Sequence, residues 1–372
     1  MRVLVVDTYY PAFTAAHYAE RPGLEEASYD EQLASLMDRC FGTADAYSTN
    51  LIRLGHEAQE VIPNCEPLQL AWAREHRVVG AGSLAALAGR APHPLGPAAR
   101  QALLHRILGA QIRAANPNVV YVQDLWFLGR QELNRLRRRK RLVVGQIASE
   151  PPEPERLQGF DLIVTSFPHY VERFRALGVG SEYFPIAFNR PVLDRIELAD
   201  RPHGAVFVGG VNPRVHPAGT ALLERLAARG LVDVWGYGAD ELASDSPILA
   251  RHHGEAWGID MYRVLARSRI VVNRHIEAAE GFANNMRLYE STGMGALLLT
   301  EAAPNLDAIF APGREVATYT SEDELVERIE HFLAHEDERA AIARAGHERT
   351  LAEHTYERRI PELAQMLEER LR

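Results

Sequence analysis

The chain has 372 residues, 47% of them hydrophobic, which is enough for the cores of two domains, or of three. Its 41 Lys and Arg residues against 50 Asp and Glu residues give a formal net charge of −9, so a nucleic-acid partner is not expected. Two cysteines exclude a disulfide framework and any four-cysteine zinc site. Apolar runs stay well short of the ~18 residues of a membrane span, and two cysteines suit a reducing compartment, so we expect a soluble, cytoplasmic protein.

One basic run interrupts this acidic composition. Arg137–Arg141 lies where a predicted helix ends and a predicted strand begins. Two interpretations stay open. Cations favour a helix C-terminus, which would make the run a solvated helix end. The same charges would also suit a weak peripheral contact with an anionic membrane.

Short apolar runs alternate with amphipathic stretches along the chain, a pattern typical of parallel strands joined by helices. It predicts an α/β protein with two Rossmann-like domains. The predicted strands are RVLVVD, EAQEVIP, NVVYVQ, RLVVGQIA, DLIVTS and SEYFPI in the first half, and GAVFVGG, LVDVWGYG, RIVVNRH and GALLLTE in the second.

Domain boundaries follow from prolines and charge. Two prolines and a charged stretch separate the halves, which predicts domains at 1–187 and 188–354 and a C-terminal helix at 355–372. An insertion at about 11–40, rich in aromatic and charged residues, follows the first strand. It either shapes an acceptor site beyond the strand ends or is an ordinary surface excursion.

The segment NNMRLYESTGMGALLLTE, Asn284 to Glu301, carries the strongest chemical signal. Asn284, Asn285 and Arg287 lie at a predicted helix N-terminus, where free N–H groups and the helix dipole favour a diphosphate. Glu290, one turn later, is suited to the paired hydroxyls of a ribose. The alternative is that Arg287 and Glu290 form an exposed i,i+3 ion pair.

A glycine pair upstream indicates a second place where a phosphate can approach the backbone. Gly209 and Gly210 end the strand of VFVGGVNPRVH, and Arg214 follows. Neither a GxGxxG fingerprint nor a Walker P-loop occurs in the sequence, so an NAD-dependent dehydrogenase is the weakest interpretation.

From about Gly204 to His354 the chain resembles the donor domain of GT-B glycosyltransferases, in the branch related to spore-maturation-type enzymes. AVFVGG resembles the opening strand, HHGEAWGIDMYRVLARSRIVVNRH the nucleobase loop with its helix and strand, and NNMRLYESTGMGALLLTE the donor helix. The first half resembles the acceptor domain more weakly, through FGTADAYSTNLIRLGHEAQEVI.

This resemblance implies roles for several residues. Glu290 would bind the donor ribose, Arg287 and the Asn284–Asn285 turn would contact phosphates, and the loop from Glu255 to Trp257 would lie near the base. It also implies a C-terminal helix that returns to the N-terminal domain. GT-B enzymes do not usually depend on a bound metal, so no metal or other cofactor is expected. The candidates for stabilising the departing diphosphate are Arg214, Arg274 and Arg287.

Catalytic groups are less clearly marked. Many relatives carry a glutamate eight residues before the ribose glutamate, but Phe282 stands there. Either the loop is longer and Glu280 replaces that acid, or the acid is absent. An inverting transferase needs a base, for which Asp45, Asp124 and Glu150 are placed near strand ends or helix starts. Asp124 has an aromatic neighbour in YVQDLWFL that is suited to packing against a sugar face. Two alternatives stay open: the three acids are structural, or the enzyme is a retaining transferase, which needs no such base.

The predicted function is a hexosyltransferase-type enzyme that moves a sugar from a nucleotide diphosphate sugar to an acceptor hydroxyl in the interdomain cleft. The acceptor would be a glycan, a lipid-linked saccharide or a small natural product. The alternatives are a nucleotide-sugar epimerase of the same fold and a catalytically silent protein that binds a nucleotide sugar or a protein partner.

Overall fold

Two parallel β-sheets, one in each half of the chain, organise the fold. The computed structural model describes residues 1–139, 141–197 and 200–372; Lys140, in the predicted basic run, lies outside them. The chain divides into unit 1, formed by Met1–Phe184 and Ile360–Arg372, and unit 2, formed by Pro185–Arg359.

Unit 1 is built on a six-stranded sheet in which every strand pairs in parallel, in the order β2-β1-β3-β4-β5-β6. The strands are β1 (Arg2–Val6), β2 (Glu57–Val61), β3 (Val119–Val122), β4 (Leu142–Ile147), β5 (Leu162–Thr165) and β6 (Gly180–Tyr183). The helices are α1 (Pro11–Ala19), α2 (Tyr29–Met37), α3 (Ala46–Arg53), α4 (Glu66–Glu75), α5 (Ala81–Arg90), α6 (Leu95–Ala115), α7 (Arg130–Arg137), α8 (Pro154–Leu157) and α9 (Pro168–Ala176). Strands β3 and β5 are buried at every position, as expected for a parallel sheet covered on both faces.

Unit 2 has a five-stranded parallel sheet in the order β11-β10-β9-β7-β8. Its strands are β7 (His203–Val208), β8 (Asp233–Trp235), β9 (Ser268–Asn273), β10 (Leu297–Glu301) and β11 (Ala317–Tyr319). Its helices are α10 (Pro217–Ala228), α11 (Ile259–Ala266), α12 (Arg287–Gly293), α13 (Glu322–Ala334) and α14 (Glu336–Glu353). All ten predicted strands are present and the α/β prediction is confirmed, but β11, which has only three residues, was not predicted.

The last helix, α15 (Tyr356–Leu371), begins in unit 2 and ends in unit 1. Near its end, Arg370 pairs with Glu182 of β6 at 3.2 Å, and Glu368 lies 3.8 Å from His56. Its final turns are therefore part of the first unit. Among the described residues no helix is both long and apolar enough to cross a lipid bilayer.

The predicted insertion folds into α1, a short 3-10 helix at Leu24–Glu26, and α2. A capping box starts α2, in which the Ser28 and Glu31 side chains each accept a hydrogen bond from the other residue's backbone N–H. Phe13 of α1 stacks on Phe41, with ring centroids 4.2 Å apart, and Tyr9 packs edge-on against both rings. These aromatic contacts hold the insertion against the loop that leaves β1.

Candidate functional site

The loops at the carboxyl edge of the unit 2 sheet converge on the start of α12. The Asn285 amide donates to Asn273 Oδ1 at 2.8 Å and to the carbonyl of Arg274 at 3.0 Å, and so fixes the residues before α12 to the end of β9. Asn285 Oδ1 in turn accepts from the backbone N–H of Leu288 at 3.2 Å, as a helix cap does. The Asn285 side chain therefore positions the helix.

The Arg287–Glu290 pair predicted from spacing is formed, but it is not exposed. Arg287 Nη1 lies 2.6 Å from Glu290 Oε2, and the two side chains are 17% and 6% exposed. Helix α11 covers the pair: Met261 Sδ lies 2.8 Å from Arg287 Nη1, and the Tyr262 hydroxyl donates to Glu290 Oε1 at 3.4 Å. The alternative of an exposed ion pair is therefore right about the pairing and wrong about the exposure. Packing against α11 places both charges in a poorly solvated site.

Asn284 provides a buried donor without a partner. The residue is 5% exposed, and within the described part of the chain its Nδ2 has no hydrogen-bond acceptor. An unpaired buried amide costs free energy, about 1–3 kcal/mol, unless a bound group or water satisfies it. Beside an arginine and at the start of a helix, this donor is suited to an anionic oxygen.

The loop predicted to lie near the base presents a stacked aromatic pair. Trp257 stacks on Tyr237, with centroids 5.3 Å apart and planes inclined by 15°, and its Nε1 donates to Glu255 Oε2 at 2.7 Å. Glu255 is exposed. Tyr237 was not among the predicted site residues, although its place directly after β8 follows the same rule of strand ends.

The glycines after β7 and β8 permit close packing of the two loops. A Cβ on Gly210 would lie 2.9 Å from the Tyr237 ring, and one on Gly236 would lie 1.7 Å from the carbonyl oxygen of Gly209. A Cβ on Gly209 would press on Phe207 at 3.0 Å. Loop-to-loop contact therefore requires Gly210 and Gly236, and close approach of a phosphate to Gly209 and Gly210 stays a prediction.

Replacing Gly236 with alanine is expected to destabilise the protein by about 3 kcal/mol, because the new methyl group cannot be accommodated without moving Gly209. Urea unfolding measures the loss. Gly89→Ala is the matched control, since its Cβ would point into open space on α5, where alanine is the better helix former. Equal midpoints for Gly236→Ala and the wild type would contradict the loop packing.

Of the other predicted phosphate ligands, Arg274 follows β9 directly, with Nε 3.8 Å from Glu301 Oε1. Arg214 is turned toward Glu241, 3.2 Å away, and its side chain is 80% exposed. Arg274 therefore lies at the end of β9, where Asn285 also fixes the start of α12. Arg214, in contrast, belongs to an exposed ion pair.

Glu280 occupies a strained and exposed position. Its φ of 48° lies in the left-handed region, and it closes the short 3-10 helix Glu277–Ala279. Phe282, at the position where the resemblance expects a glutamate, precedes Ala283, whose N–H donates to Asn305 at 2.7 Å. A catalytic role for Glu280 stays a prediction.

In unit 1, Asp124 follows β3 at the carboxyl edge of the sheet. Its Oδ2 accepts from the Thr8 hydroxyl at 2.8 Å and its Oδ1 from the backbone N–H of Trp126 at 2.8 Å. Both carboxylate oxygens are engaged, so Asp124 joins the loop after β1 to the loop after β3. The Trp126 side chain itself is exposed.

Asp7, which ends the predicted strand RVLVVD, was missed as a candidate. Burial raises the pKa of its carboxyl to about 7, the Thr8 backbone N–H at 2.8 Å opposes the shift, and the negative charge of Asp124 adds to it. A carboxyl group with such a pKa can take or give a proton near neutral pH. The signal was available, since Asp7 and Asp124 satisfy the same strand-end rule.

Asp45 lies at the start of α3 and accepts from the Thr49 hydroxyl at 3.2 Å. Burial raises the pKa of Glu60 to about 8, and the negative charges of Asp7 and Asp45 add to this effect. The hydrogen bond from the Ser48 backbone N–H lowers the same pKa. Glu60 accepts that backbone hydrogen bond at 3.0 Å. Asp45 is therefore one member of a group of interacting carboxyls near the ends of β1 and β2.

Comparison with known proteins gives a family-model match for one stretch of the chain and a fold for the whole chain. Residues 216–365 match the family described as glycosyl transferase-like. HepE from Anabaena, solved in complex with UDP-glucose, superposes with a TM-score of 0.60 at 12% identity over 99% of both chains. A sucrose-phosphate synthase from Thermosynechococcus elongatus gives 0.58 at 11% over 99% of both. AviGT4, a glycosyltransferase involved in avilamycin A biosynthesis, gives 0.56 at 14% over 99% of this chain and 98% of its own.

No curated protein sequence matches the chain. At identities of 11–14% the structural likeness shows the fold, which is that of GT-B glycosyltransferases. The match over residues 216–365 and the fold agree with the resemblance drawn from the sequence. The spore-maturation branch stays a prediction.

Proposed function

We propose that this chain, which carries a glycosyl transferase-like domain at residues 216–365 within a GT-B fold, transfers a hexose from a nucleoside diphosphate sugar to an acceptor hydroxyl. Unit 2 binds the donor at the carboxyl edge of its sheet. Unit 1 binds the acceptor, which is a glycan, a lipid-linked saccharide or a small natural product.

The observation that carries the proposal is the buried Arg287–Glu290 pair beside the unpaired amide of Asn284. In the proposed complex Glu290 accepts hydrogen bonds from the ribose hydroxyls, while Arg287 and Asn284 Nδ2 donate to phosphate oxygens. A poorly solvated setting strengthens each of these charge-assisted bonds. The stacked Tyr237 and Trp257 rings supply an aromatic surface for the base.

The departing diphosphate is stabilised in this proposal by Arg274 and Arg287, with no metal required. Guanidinium groups suit this role because they are always charged and can bind phosphate through two hydrogen bonds. In unit 1, Asp7 takes the proton of the acceptor hydroxyl if the enzyme inverts the sugar, because its pKa of about 7 matches that task. Asp124 then positions Thr8, and its charge helps to raise the pKa of Asp7.

Thermal unfolding with UDP, GDP, dTDP, ADP and CMP tests the donor site. UDP comes first because HepE, which shares the fold, was solved with UDP-glucose. A ligand at 100 times its dissociation constant stabilises the native state by about 2.7 kcal/mol. We expect a selective rise in the unfolding temperature with one diphosphate and turnover with a sugar donor of that nucleotide.

Three results would contradict parts of this proposal. No shift with any nucleotide would remove the donor site from unit 2. Binding without transfer to any acceptor in a broad hydroxyl panel would favour a silent nucleotide-sugar-binding protein over an enzyme. Interconversion of the free sugar nucleotide without an acceptor would indicate an epimerase.

A further inference from the structure

Positive charge is concentrated in one stretch of unit 1. Residues 76–149 contain eleven arginines and one lysine but only two acidic residues, Asp124 and Glu132, in a chain with 41 basic and 50 acidic residues. Residues 76–123 contain no acidic residue at all. A strongly cationic region therefore lies on a protein whose net charge is −9.

Much of this charge lines one groove. The α6–α7 groove has a volume of about 670 Å³ and is formed by α6, α7 and the turn that follows α7. Six arginines line it: Arg106, Arg113, Arg135, Arg138, Arg139 and Arg141. All but the buried Arg141 are exposed. Within the described ranges none of the six has a carboxylate oxygen within 4.0 Å of a guanidinium nitrogen.

The single acidic residue in the groove does not neutralise these charges. Glu132 is held by His105 Nδ1 at 2.5 Å and by the backbone N–H of Gly129 at 2.9 Å. In the basic run, Arg137 points elsewhere, to Asp161 at 2.7 Å, whereas Arg138 and Arg139 belong to the groove. The groove thus holds exposed guanidinium groups that are suited to phosphate or carboxylate oxygens of another molecule.

Three exposed aliphatic side chains lie on or beside α5 and at the start of α6. Val79 is 81% exposed, and Leu87 on α5 and Leu95 at the start of α6 are 48% and 61% exposed. Arg106 Nε donates to the carbonyl of Val79 at 2.6 Å, which ties the groove to the beginning of α5. Residues 76–115 contain no Phe, Tyr or Trp.

We propose that the α6–α7 groove and the α5–α6 helix pair form a docking surface for a lipid bilayer that carries anionic headgroups. Phosphates of the headgroups bind the groove arginines, and Val79, Leu87 and Leu95 enter the boundary with the acyl chains. Single-stranded nucleic acid is a poorer fit, since its binding surfaces stack bases on aromatic side chains, and the α5–α6 helix pair carries no Phe, Tyr or Trp. The inference uses unit 1 alone and does not depend on the donor site.

Vesicle co-sedimentation of the full chain tests the proposal, with phosphatidylcholine vesicles that contain or lack phosphatidylglycerol. We expect binding only to the anionic vesicles, weakened by salt. The triple variant Arg135→Gln/Arg138→Gln/Arg139→Gln should bind on the order of a hundredfold more weakly, from about 1 kcal/mol per arginine near the surface. Val79→Ser should lower the binding that remains at high salt.

The matched control is Arg225→Gln/Arg263→Gln/Arg328→Gln, which removes three exposed arginines from α10, α11 and α13 of unit 2. It should bind vesicles within about twofold of the wild type, because the same charge is lost away from the groove. Thermal unfolding and nucleotide binding should match the wild type in both triple variants. The proposal would be overturned if the wild-type protein did not bind anionic vesicles, or if it bound heparin or RNA but not vesicles. Equal losses of vesicle binding in the two triple variants would also overturn it.

Discussion

Glu290→Gln is expected to weaken nucleoside diphosphate binding by roughly ten- to a hundredfold, since a hydrogen bond to a charged group contributes about 1.5–3 kcal/mol. Glutamine keeps the shape of the side chain but loses the charged acceptor proposed for the ribose. It also leaves Arg287 without its counter-ion at a side chain that is 17% exposed, so unfolding stability should fall by about 1–3 kcal/mol. Isothermal titration with UDP and with inorganic pyrophosphate measures the two parts of the ligand separately.

The neighbouring helix offers a control of the same geometry. Asp260 and Arg263 of α11 form an i,i+3 pair at 2.6 Å, as Arg287 and Glu290 do, but their side chains are 43% and 57% exposed. Asp260→Asn should change neither nucleotide affinity nor stability by more than about 1 kcal/mol. Glu290→Gln should weaken UDP binding and spare pyrophosphate, whereas Arg287→Gln should weaken both. Unchanged UDP affinity in both variants would place the donor elsewhere.

Asp7→Asn should lower the rate of sugar transfer by about 10²–10⁴-fold at saturating donor while nucleotide affinity stays unchanged. The base must be ionised to accept a proton, so wild-type transfer should fall as the pH drops below about 7, the pKa of Asp7. A pH–rate profile with saturating donor measures this. Asp30→Asn, an exposed position on α2, is the control and should leave the profile unchanged.

Asp124→Asn separates the two candidate bases. The charge of Asp124 helps to raise the pKa of Asp7, so its removal should move the acidic limb of the profile to lower pH while transfer persists. Transfer lost at every pH in Asp124→Asn, but kept in Asp7→Asn, would instead identify Asp124 as the base. Full activity of both variants would indicate a mechanism without a base from this pair, as a retaining enzyme would use.

The order of strands and helices could be predicted because it is encoded locally. An apolar run such as RVLVV is buried by almost any α/β fold, and the helical spacing after Ser321 needs no distant partner. Strand β11 was not predicted, because three residues are too few to show a periodic pattern. The cap of α13 is local as well: Ser321 Oγ accepts from the Glu324 N–H, and the Glu324 carboxylate accepts from the Thr320 N–H.

The candidate site could be predicted in part. The donor segment was recognisable from Asn284 to Glu290, because a helix start with an arginine and a glutamate one turn apart is a local pattern. The choice between a solvated pair and a buried one was not readable from spacing. That choice depends on Met261 and Tyr262 of α11, 26 and 28 residues earlier in the chain, which remove water from the pair.

The sequence by itself determined the alternating strands and helices, the family resemblance of the second half and the identity of the groups at strand ends. Only the tertiary structure decided how those groups are charged and paired. Asp7 owes its pKa to burial and to a carboxylate 117 positions away, and the groove arginines line one cavity because α6 packs beside α7. Solvent exclusion and Coulomb interactions act through space, so side chains distant in sequence set them.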